Sequence, residues 1–229
     1  MKQLKHFALF LAAVAAFCLA ACNDFDSDGA NQQYLQSVVT FTGNNPVNNT
    51  CQFDLYPDNS NQAIRLYAQG TLATEGDKSV RVGDRLLMYY VIPGDRDIAD
   101  GGEVTIMSLN RTLGGDFSNV DADSIAKCNA EIYIISMSRT GNYLNIFCQM
   151  PQVEGRTMSL NASAETLDGD YPEFYLTSSY PAGNRLLYSG NYVASFDISG
   201  VWNRSDISGV RVRVNNTNNP DLNLFTFKK

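Results

Sequence analysis

The chain has 229 residues, 24 acidic and 17 basic side chains and a single histidine, His6. Its net charge of −7 opposes binding to nucleic-acid phosphates, which requires clustered Lys and Arg. Once an N-terminal signal is removed no histidine remains, which excludes a Ser-His-Asp triad and histidine-ligated zinc.

The first 21 residues predict a secretory signal. Lys2 and Lys5 precede an apolar stretch, residues 7–19, that is too short to span a bilayer as a helix. The next residues, LAAC at 19–22, resemble a bacterial lipobox, in which the cysteine becomes the lipidated first residue of the mature protein. The alternative is an ordinary secretory signal that is cleaved near Ala21.

Cys22 is therefore the predicted lipid attachment site of an outer-membrane lipoprotein. Its acyl chains would hold the protein on the membrane, since each buried CH₂ contributes about 0.8 kcal/mol. Residues 22–33 are predicted to be a flexible tether, because the polar, acidic stretch after the cysteine has few apolar side chains to bury. The acids directly after the cysteine also resemble the export signal of surface lipoproteins in Bacteroidetes, which implies surface exposure.

Strand patterns dominate residues 34–115. Alternating residues at 51–56, a turn at 57–60 and an apolar stretch at 64–68 predict a hairpin. The stretch LLMYYVI, residues 86–92, is apolar on both faces, as expected of a strand buried on both sides. These strands, with one at 103–109, predict a small closed β-barrel, in which closure removes open sheet edges.

The second half, residues 116–229, is predicted to be a β-sandwich that follows a short helix. The helix covers residues 121–127, where acids in the first turn and Lys127 near the end suit the helix dipole. A hairpin of strands 131–138 and 143–150 comes next. In VRVRV, residues 210–214, the valines face a core and the arginines face water, so we expect an antiparallel sandwich.

Three cysteines remain beyond Cys22, and their spacing matches no metal-binding pair or ribbon. They are Cys51, Cys128 and Cys148. Either all three are small buried apolar side chains, or two of them form one disulfide and leave a single thiol. Because no basic pattern lies nearby, a nucleophilic role is disfavoured.

Four acids crowd the loop PGDRDIADGGE, and they are Asp95, Asp97, Asp100 and Glu103. Hard oxygen ligands at short spacing suggest a calcium site. The EF-hand template does not fit, because Ala99 stands at a ligand position and Ile106 replaces the terminal glutamate. The alternative is a solvated turn, and we expect no metal and no cofactor.

Trp202 is the candidate ligand-binding residue. It is the only tryptophan, and it lies in a predicted loop between two copies of DISGV, at 197–201 and 206–210. Aromatic faces on loops stack on sugars or on partner proteins. The alternative is an aromatic side chain that plugs the end of its own sandwich.

Ser124 is a candidate O-glycosylation site. The triplet Asp123-Ser124-Ile125 resembles the Asp-Ser/Thr-aliphatic pattern that is modified in Bacteroidetes. The alternative is that the triplet simply supplies the start of the short helix.

Several segments, taken in order, resemble the NigD-like lipoproteins of Bacteroidetes. They are GDRLLMYYVI at 83–92, DADSI at 121–125, GNYLNI at 141–146, VASFD at 193–197 and the strands at 210–214 and 224–227. The resemblance implies an N-terminal OB-like barrel, a C-terminal β-sandwich and a lipid-anchored envelope protein, with a suggested role in bacteriocin immunity. The family has no established catalytic residues, so the resemblance implies none here.

We expect a non-catalytic binding protein of the cell envelope that engages a glycan or an envelope protein. One alternative is a bacteriocin immunity protein, whose acidic surface would meet a basic toxin. Another is a carboxylate-dependent glycoside hydrolase, which would need two acids about 5–9.5 Å apart in a cleft. The sequence has no nucleophile elbow, P-loop or dinucleotide-binding glycine pattern.

Overall fold

The computed structural model describes residues 33–76, 79–94, 96–183 and 188–229. The predicted signal, Cys22 and all of the tether except its last residue lie outside the described residues. No helix within the described ranges is long and apolar enough to cross a bilayer.

The first half of the described chain forms one six-stranded sheet in the order β5-β3-β2-β1-β4-β6. Its strands are β1 (Gln33–Asn45), β2 (Thr50–Leu55), β3 (Ile64–Gln69), β4 (Arg85–Ile92), β5 (Gly102–Glu103) and β6 (Thr105–Arg111). The long strand β1 is central and pairs antiparallel with β2 on one side and β4 on the other. One face of the sheet carries an apolar core that includes Phe41, Phe53, Leu66, Met88 and Tyr90.

An all-β chain with little helix is confirmed, but the first sheet is not a closed barrel. The end strands β5 and β6 are not hydrogen-bonded to each other in the part of the chain that the structure describes. Strand β5 has only two residues and pairs parallel with β3. Val104, which joins β5 to β6, is buried in the core of the first sheet. The connection between the two end strands therefore helps to cover the apolar face, although the strands themselves are not hydrogen-bonded to each other.

The second half contains two five-stranded sheets, in the orders β15-β9-β10-β13-β7 and β16-β14-β12-β11-β8. The strands are β7 (Leu113–Asp116), β8 (Ser118–Asn119), β9 (Glu131–Thr140), β10 (Tyr143–Pro151), β11 (Thr157–Ala162), β12 (Glu173–Ser179), β13 (Ser189–Asp197), β14 (Gly209–Arg213), β15 (Asn215–Asn216) and β16 (Leu224–Lys228). Both sheets contribute to one core, in which Leu144, Ile146, Leu160, Phe174 and Phe196 are almost fully buried. As predicted, Val210 and Val212 of β14 point into this core.

The sandwich is mixed rather than purely antiparallel, which corrects the sequence-based prediction. Strand β12 pairs parallel with β14, and β7 pairs parallel with β13. A parallel pair needs a long crossover connection. The chain supplies one between β12 and β14 by passing through β13, which belongs to the other sheet.

Helical structure is confined to three short segments of the described chain. They are a 3₁₀ turn, Ile98–Asp100, and two four-residue helices, α1 (Ala122–Ile125) and α2 (Ser199–Trp202). Helix α1 confirms the predicted short helix. Its N-cap is Asp121, whose carboxylate accepts a hydrogen bond from the Ser124 amide at 2.7 Å. This backbone hydrogen bond holds the pKa of Asp121 below its usual value.

Candidate functional site

Side chains on the outer face of β4 meet side chains of β9, β10 and β13 through hydrogen bonds and around a shared cavity, and we call this junction the inter-sheet seam. Arg85, at the start of β4, lies in the seam and is only 9% exposed. Its guanidinium donates hydrogen bonds to Ser195 Oγ at 3.0 Å, Thr40 Oγ1 at 2.8 Å and Asn145 Oδ1 at 3.1 Å. A fourth, longer bond reaches Thr140 Oγ1 at 3.4 Å. One side chain therefore links both halves of the protein.

The side chains that accept hydrogen bonds from the Arg85 guanidinium are all uncharged. No carboxylate oxygen of the described residues lies within 4.0 Å of it. The ring of Tyr143 covers the guanidinium, with the ring centroid 4.1 Å from Cζ. Burial lowers the pKa of Arg85 to about 10. A buried cation without an ion-pair partner is costly, so the four hydrogen bonds of the guanidinium are what make this position tolerable.

A second buried arginine, Arg139, reinforces the seam at the end of β9. Its Nη1 donates to Asn61 Oδ1 at 2.8 Å and to the Gly141 carbonyl at 2.6 Å. The amide of Asn59 donates in turn to the Arg139 carbonyl at 2.7 Å. Burial lowers the pKa of Arg139. The loop between β2 and β3 is thereby fixed to the second half.

A cavity of about 250 Å³ opens beside Arg85, and we call it the polar pocket. Its charged lining consists of Asp84, Arg85, Arg111, Asp116 and Asp197. Arg111 and Asp84 form an ion pair at 3.5 Å. Asp116 and Asp197 lie opposite each other on the paired strands β7 and β13.

A larger cavity of about 480 Å³, the inter-sheet cleft, lies farther along the seam. Leu87 and Tyr89 of β4 form one wall, and Ile135, Phe147 and Val193 of β9, β10 and β13 form the other. Tyr89 is 39% exposed and Ile135 is 50% exposed, which is unusual for side chains at the interface between two sheets. The cleft therefore presents apolar and aromatic surface to solvent.

Three side-chain amides add hydrogen-bonding groups to the cleft, and they belong to Gln36, Asn110 and Asn191. Arg111 lines both the cleft and the polar pocket. The seam thus contains two different cavities: the inter-sheet cleft, which is apolar with a few amides, and the polar pocket, which is lined by charged side chains.

Trp202 lies in a short helix and not in the predicted loop. It is the last residue of α2 and is 4% exposed. The Ile198 carbonyl accepts from the Val201 and Trp202 amides, so the end of the first DISGV copy and Trp202 form a helical turn. The guanidinium of Arg139 lies 4.4 Å from the centroid of a Trp202 ring. This is the position of an aromatic that fills the end of its own sandwich.

The acids of the loop after β4 serve local structure. Asp95 lies outside the described residues. Asp97 caps the 3₁₀ turn by accepting from the Ala99 amide at 2.9 Å, and Glu103 accepts from the Gln69 side chain at 2.9 Å. Asp100 is exposed at the end of that turn. Among the described residues, no three acidic, histidine or cysteine side chains lie together as metal ligands would.

Ser124 is half-buried, and its hydroxyl hydrogen-bonds Asp121 Oδ2 at 3.1 Å. This contact agrees with a role in starting α1, and glycosylation of Ser124 stays a prediction.

The cysteines at 51, 128 and 148 are all free thiols. Burial raises the pKa of each of them, in the case of Cys148 to about 12. Thiols of this kind are poor nucleophiles near neutral pH.

Sequence reasoning missed the seam residues. Arg85 and Tyr89 lie within the segment GDRLLMYYVI, where they look like ordinary strand residues. The sequence feature that could have indicated the seam is a single arginine at the start of a strand that is apolar on both faces. Such a charge must find hydrogen-bond partners when the strand is buried.

No protein-family profile and no curated protein matches the chain. Solved structures do share its fold. A protein of unknown function from Bacteroides vulgatus has a TM-score of 0.62 at 13% identity, covering 86% of this chain and 90% of that chain. A NigD-like immunity protein from Bacteroides caccae has a TM-score of 0.53 at 15% identity, covering 84% and 91%.

A predicted lipoprotein from Bacteroides fragilis also has this fold, with a TM-score of 0.51 at 11% identity. The alignment covers 86% of this chain and 96% of that one. The prediction of a NigD-like structure is therefore confirmed at the level of the fold. These structural relatives are immunity-type, lipoprotein-type or uncharacterised proteins.

Proposed function

We propose that the protein is a lipid-anchored, non-catalytic protein of the cell envelope that binds a glycan in the inter-sheet cleft. The observation that carries the proposal is the lining of the cleft. Tyr89 and Phe147 offer aromatic faces of the kind that pack on the apolar faces of sugar rings. The amides of Gln36, Asn110 and Asn191 can both donate to and accept from sugar hydroxyls.

The size of the cleft suits a small ligand. Its volume of about 480 Å³ falls within the range of about 300–1,000 Å³ that is typical of ligand sites. Such sites combine mostly apolar walls with a few placed polar groups, as this cleft does. Its lining contains one charged residue, Arg111, so an uncharged oligosaccharide fits better than a highly charged ligand.

The groups that line the seam support a non-catalytic role. A glycoside hydrolase needs a carboxylic acid that donates a proton. In the polar pocket, Asp84 accepts from the Arg81 amide at 2.9 Å and pairs with Arg111, while Asp197 accepts from the Ser199 amide at 2.7 Å. These contacts use two of the three aspartates of the pocket as acceptors rather than as proton donors, and they leave Asp116 as a single acid without a second one free to act with it.

The cleft can be tested with a matched pair of tyrosine variants and an array of immobilised bacterial oligosaccharides. Tyr89→Ala is expected to weaken binding of the retained oligosaccharides about tenfold, because one aromatic contact contributes about 1.5 kcal/mol. Tyr67→Ala is the control, since Tyr67 is 36% exposed on β3, outside the cleft. Equal binding by both variants would exclude the cleft as the glycan site.

The lipid anchor requires its own test, in native cells. Cys22→Ser is expected to move the protein from the membrane fraction to the soluble fraction, because acyl chains can no longer be attached. Cys128→Ser is the matched control and should leave the protein on the membrane. Intact-mass measurement of the native wild-type protein should show an acylated N-terminal residue. An unmodified Cys22 in that spectrum would rule the anchor out.

Bacteriocin immunity is the second candidate function. It is favoured by the fold shared with the NigD-like immunity protein and by the net charge of −7, which would complement a basic toxin. Capture from envelope extracts that have been treated with protease or with glycosidases separates the two functions. A partner lost only after protease treatment supports immunity, and one lost only after glycosidase treatment supports the glycan.

A further inference from the structure

We infer that the polar pocket is a second binding site, which holds a single sugar ring through neighbouring hydroxyl groups. The inference rests on the proposed glycan-binding function and assigns a monosaccharide unit to the charged cavity of the same seam. Three observations carry it: two carboxylates that form no ion pair within 4.0 Å, a buried arginine with a spare donor, and a stretch of wall without side chains.

Asp116 and Asp197 both line the pocket, and neither forms an ion pair with a cation of the described residues. Their residues are in register on the paired strands β7 and β13, where like charges destabilise a sheet. The Asp116 carboxylate makes no hydrogen bond or ion pair with any residue in the described ranges, and the Asp197 carboxylate accepts one hydrogen bond, from the Ser199 amide. Several acceptor positions on these two carboxylates therefore remain available in the pocket.

Arg85 contributes donors to the same cavity. A guanidinium has five N–H groups, and four are used by Ser195, Thr40, Asn145 and Thr140. One N–H on Nη1 is left on a side chain that is 9% exposed and lines the pocket. A ligand oxygen at this position would receive a charge-assisted hydrogen bond.

The shape of the pocket limits what can enter it. Gly114 and Gly115 of β7 form part of the wall. A Cβ added at Gly115 would meet no atom within 4 Å, so this part of the wall faces open space. The volume of about 250 Å³ lies below the range of about 300–1,000 Å³ for drug-sized ligands, which suits one six-membered ring.

The combination of charges selects the ligand class. Two arginines and three aspartates line the pocket, so it contains both donors and acceptors and its net charge is small. An anion would be repelled by Asp116 and Asp197, and a metal cation would be repelled by Arg85. Neighbouring sugar hydroxyls donate to carboxylates and accept from guanidinium groups, so a neutral hexose satisfies both kinds of group at once.

Saturation-transfer NMR on the full mature chain tests the site, with D-glucose, D-galactose and D-mannose as probes. At least one hexose should receive saturation from the wild-type protein. Asp116→Asn should weaken its binding about tenfold, as expected for loss of a charged hydrogen bond. Asp221→Asn makes the same charge change at an exposed turn outside the pocket and should have no effect. Unchanged melting temperatures would show that both variants are folded.

The result distinguishes failure of this site from failure of the proposed function. If no hexose binds, or if Asp116→Asn binds the hexose as well as Asp221→Asn does, the polar pocket is not a sugar site. Oligosaccharide binding that still depends on Tyr89 would then leave the cleft proposal standing. Hexose binding that is lost in Tyr89→Ala and kept in Asp116→Asn would also overturn the inference, because it places the hexose in the cleft.

Discussion

Replacing Arg85 with methionine is expected to lower the free energy of unfolding by about 4 kcal/mol. The substitution fills similar space but removes four hydrogen bonds across the inter-sheet seam. Asn145 and Ser195, each 2% exposed, then lose a donor that water cannot easily replace. Urea denaturation followed by circular dichroism measures the change.

The matched control for this prediction is Arg65→Met. Arg65 also sits on a strand and contacts a polar group, Asp54, at 2.7 Å, but its side chain is 56% exposed. Exposed ion pairs contribute at most about 1 kcal/mol, so this variant should remain close to the wild type. If Arg85→Met lost no more stability than Arg65→Met, the seam would not depend on the buried guanidinium.

Replacing Trp202 with alanine is expected to lower the free energy of unfolding by about 4 kcal/mol, the usual cost of removing a buried tryptophan. The indole packs in the core of the second half and lies beneath the Arg139 guanidinium. Its removal would leave a cavity and take away the aromatic face that covers a buried charge. Arg139 would then lack one of the groups that compensate for its burial.

Trp202→Phe is the informative companion to this variant. Phenylalanine keeps an aromatic face for Arg139 and fills most of the volume, so about half of the lost stability should return. Thermal unfolding followed by circular dichroism suits both variants, since neither retains tryptophan fluorescence. If the Trp202→Ala protein kept wild-type stability but no longer bound its glycan, Trp202 would contact the ligand instead of stabilising the core.

Structural features that depend on residues close together in the sequence could be predicted. Helix α1 begins where expected because Asp121 caps a turn only three residues away. The alternating valines of β14 point into the core for the same local reason, since side chains alternate along a strand. Strand β4 was predicted to be buried on both faces, and Leu87 and Val91 on its outer face are indeed 8% and 5% exposed.

The reason for that burial could not be predicted. On the outer face of β4, Arg85 is bonded to residues of the second half and Leu87 lines the cleft together with them, whereas the prediction had placed β4 in a closed barrel. Arg85 and Ser195 are 110 positions apart in sequence, so no local pattern reveals that they meet. Parallel pairing of β7 with β13 is equally hidden, because period-two alternation is the same in parallel and antiparallel strands.

The central position of β1 has a mechanical consequence. This strand begins at Gln33, the last residue of the predicted tether, so any pull on a lipid anchor at Cys22 enters the folded protein at this residue. From Val39 to Thr40, β1 is bonded to β2 and β4 at once, and the two ladders together run from Gln33 to Asn45. Tension directed along β1 loads both ladders in shear, so many bonds share the force instead of opening one after another.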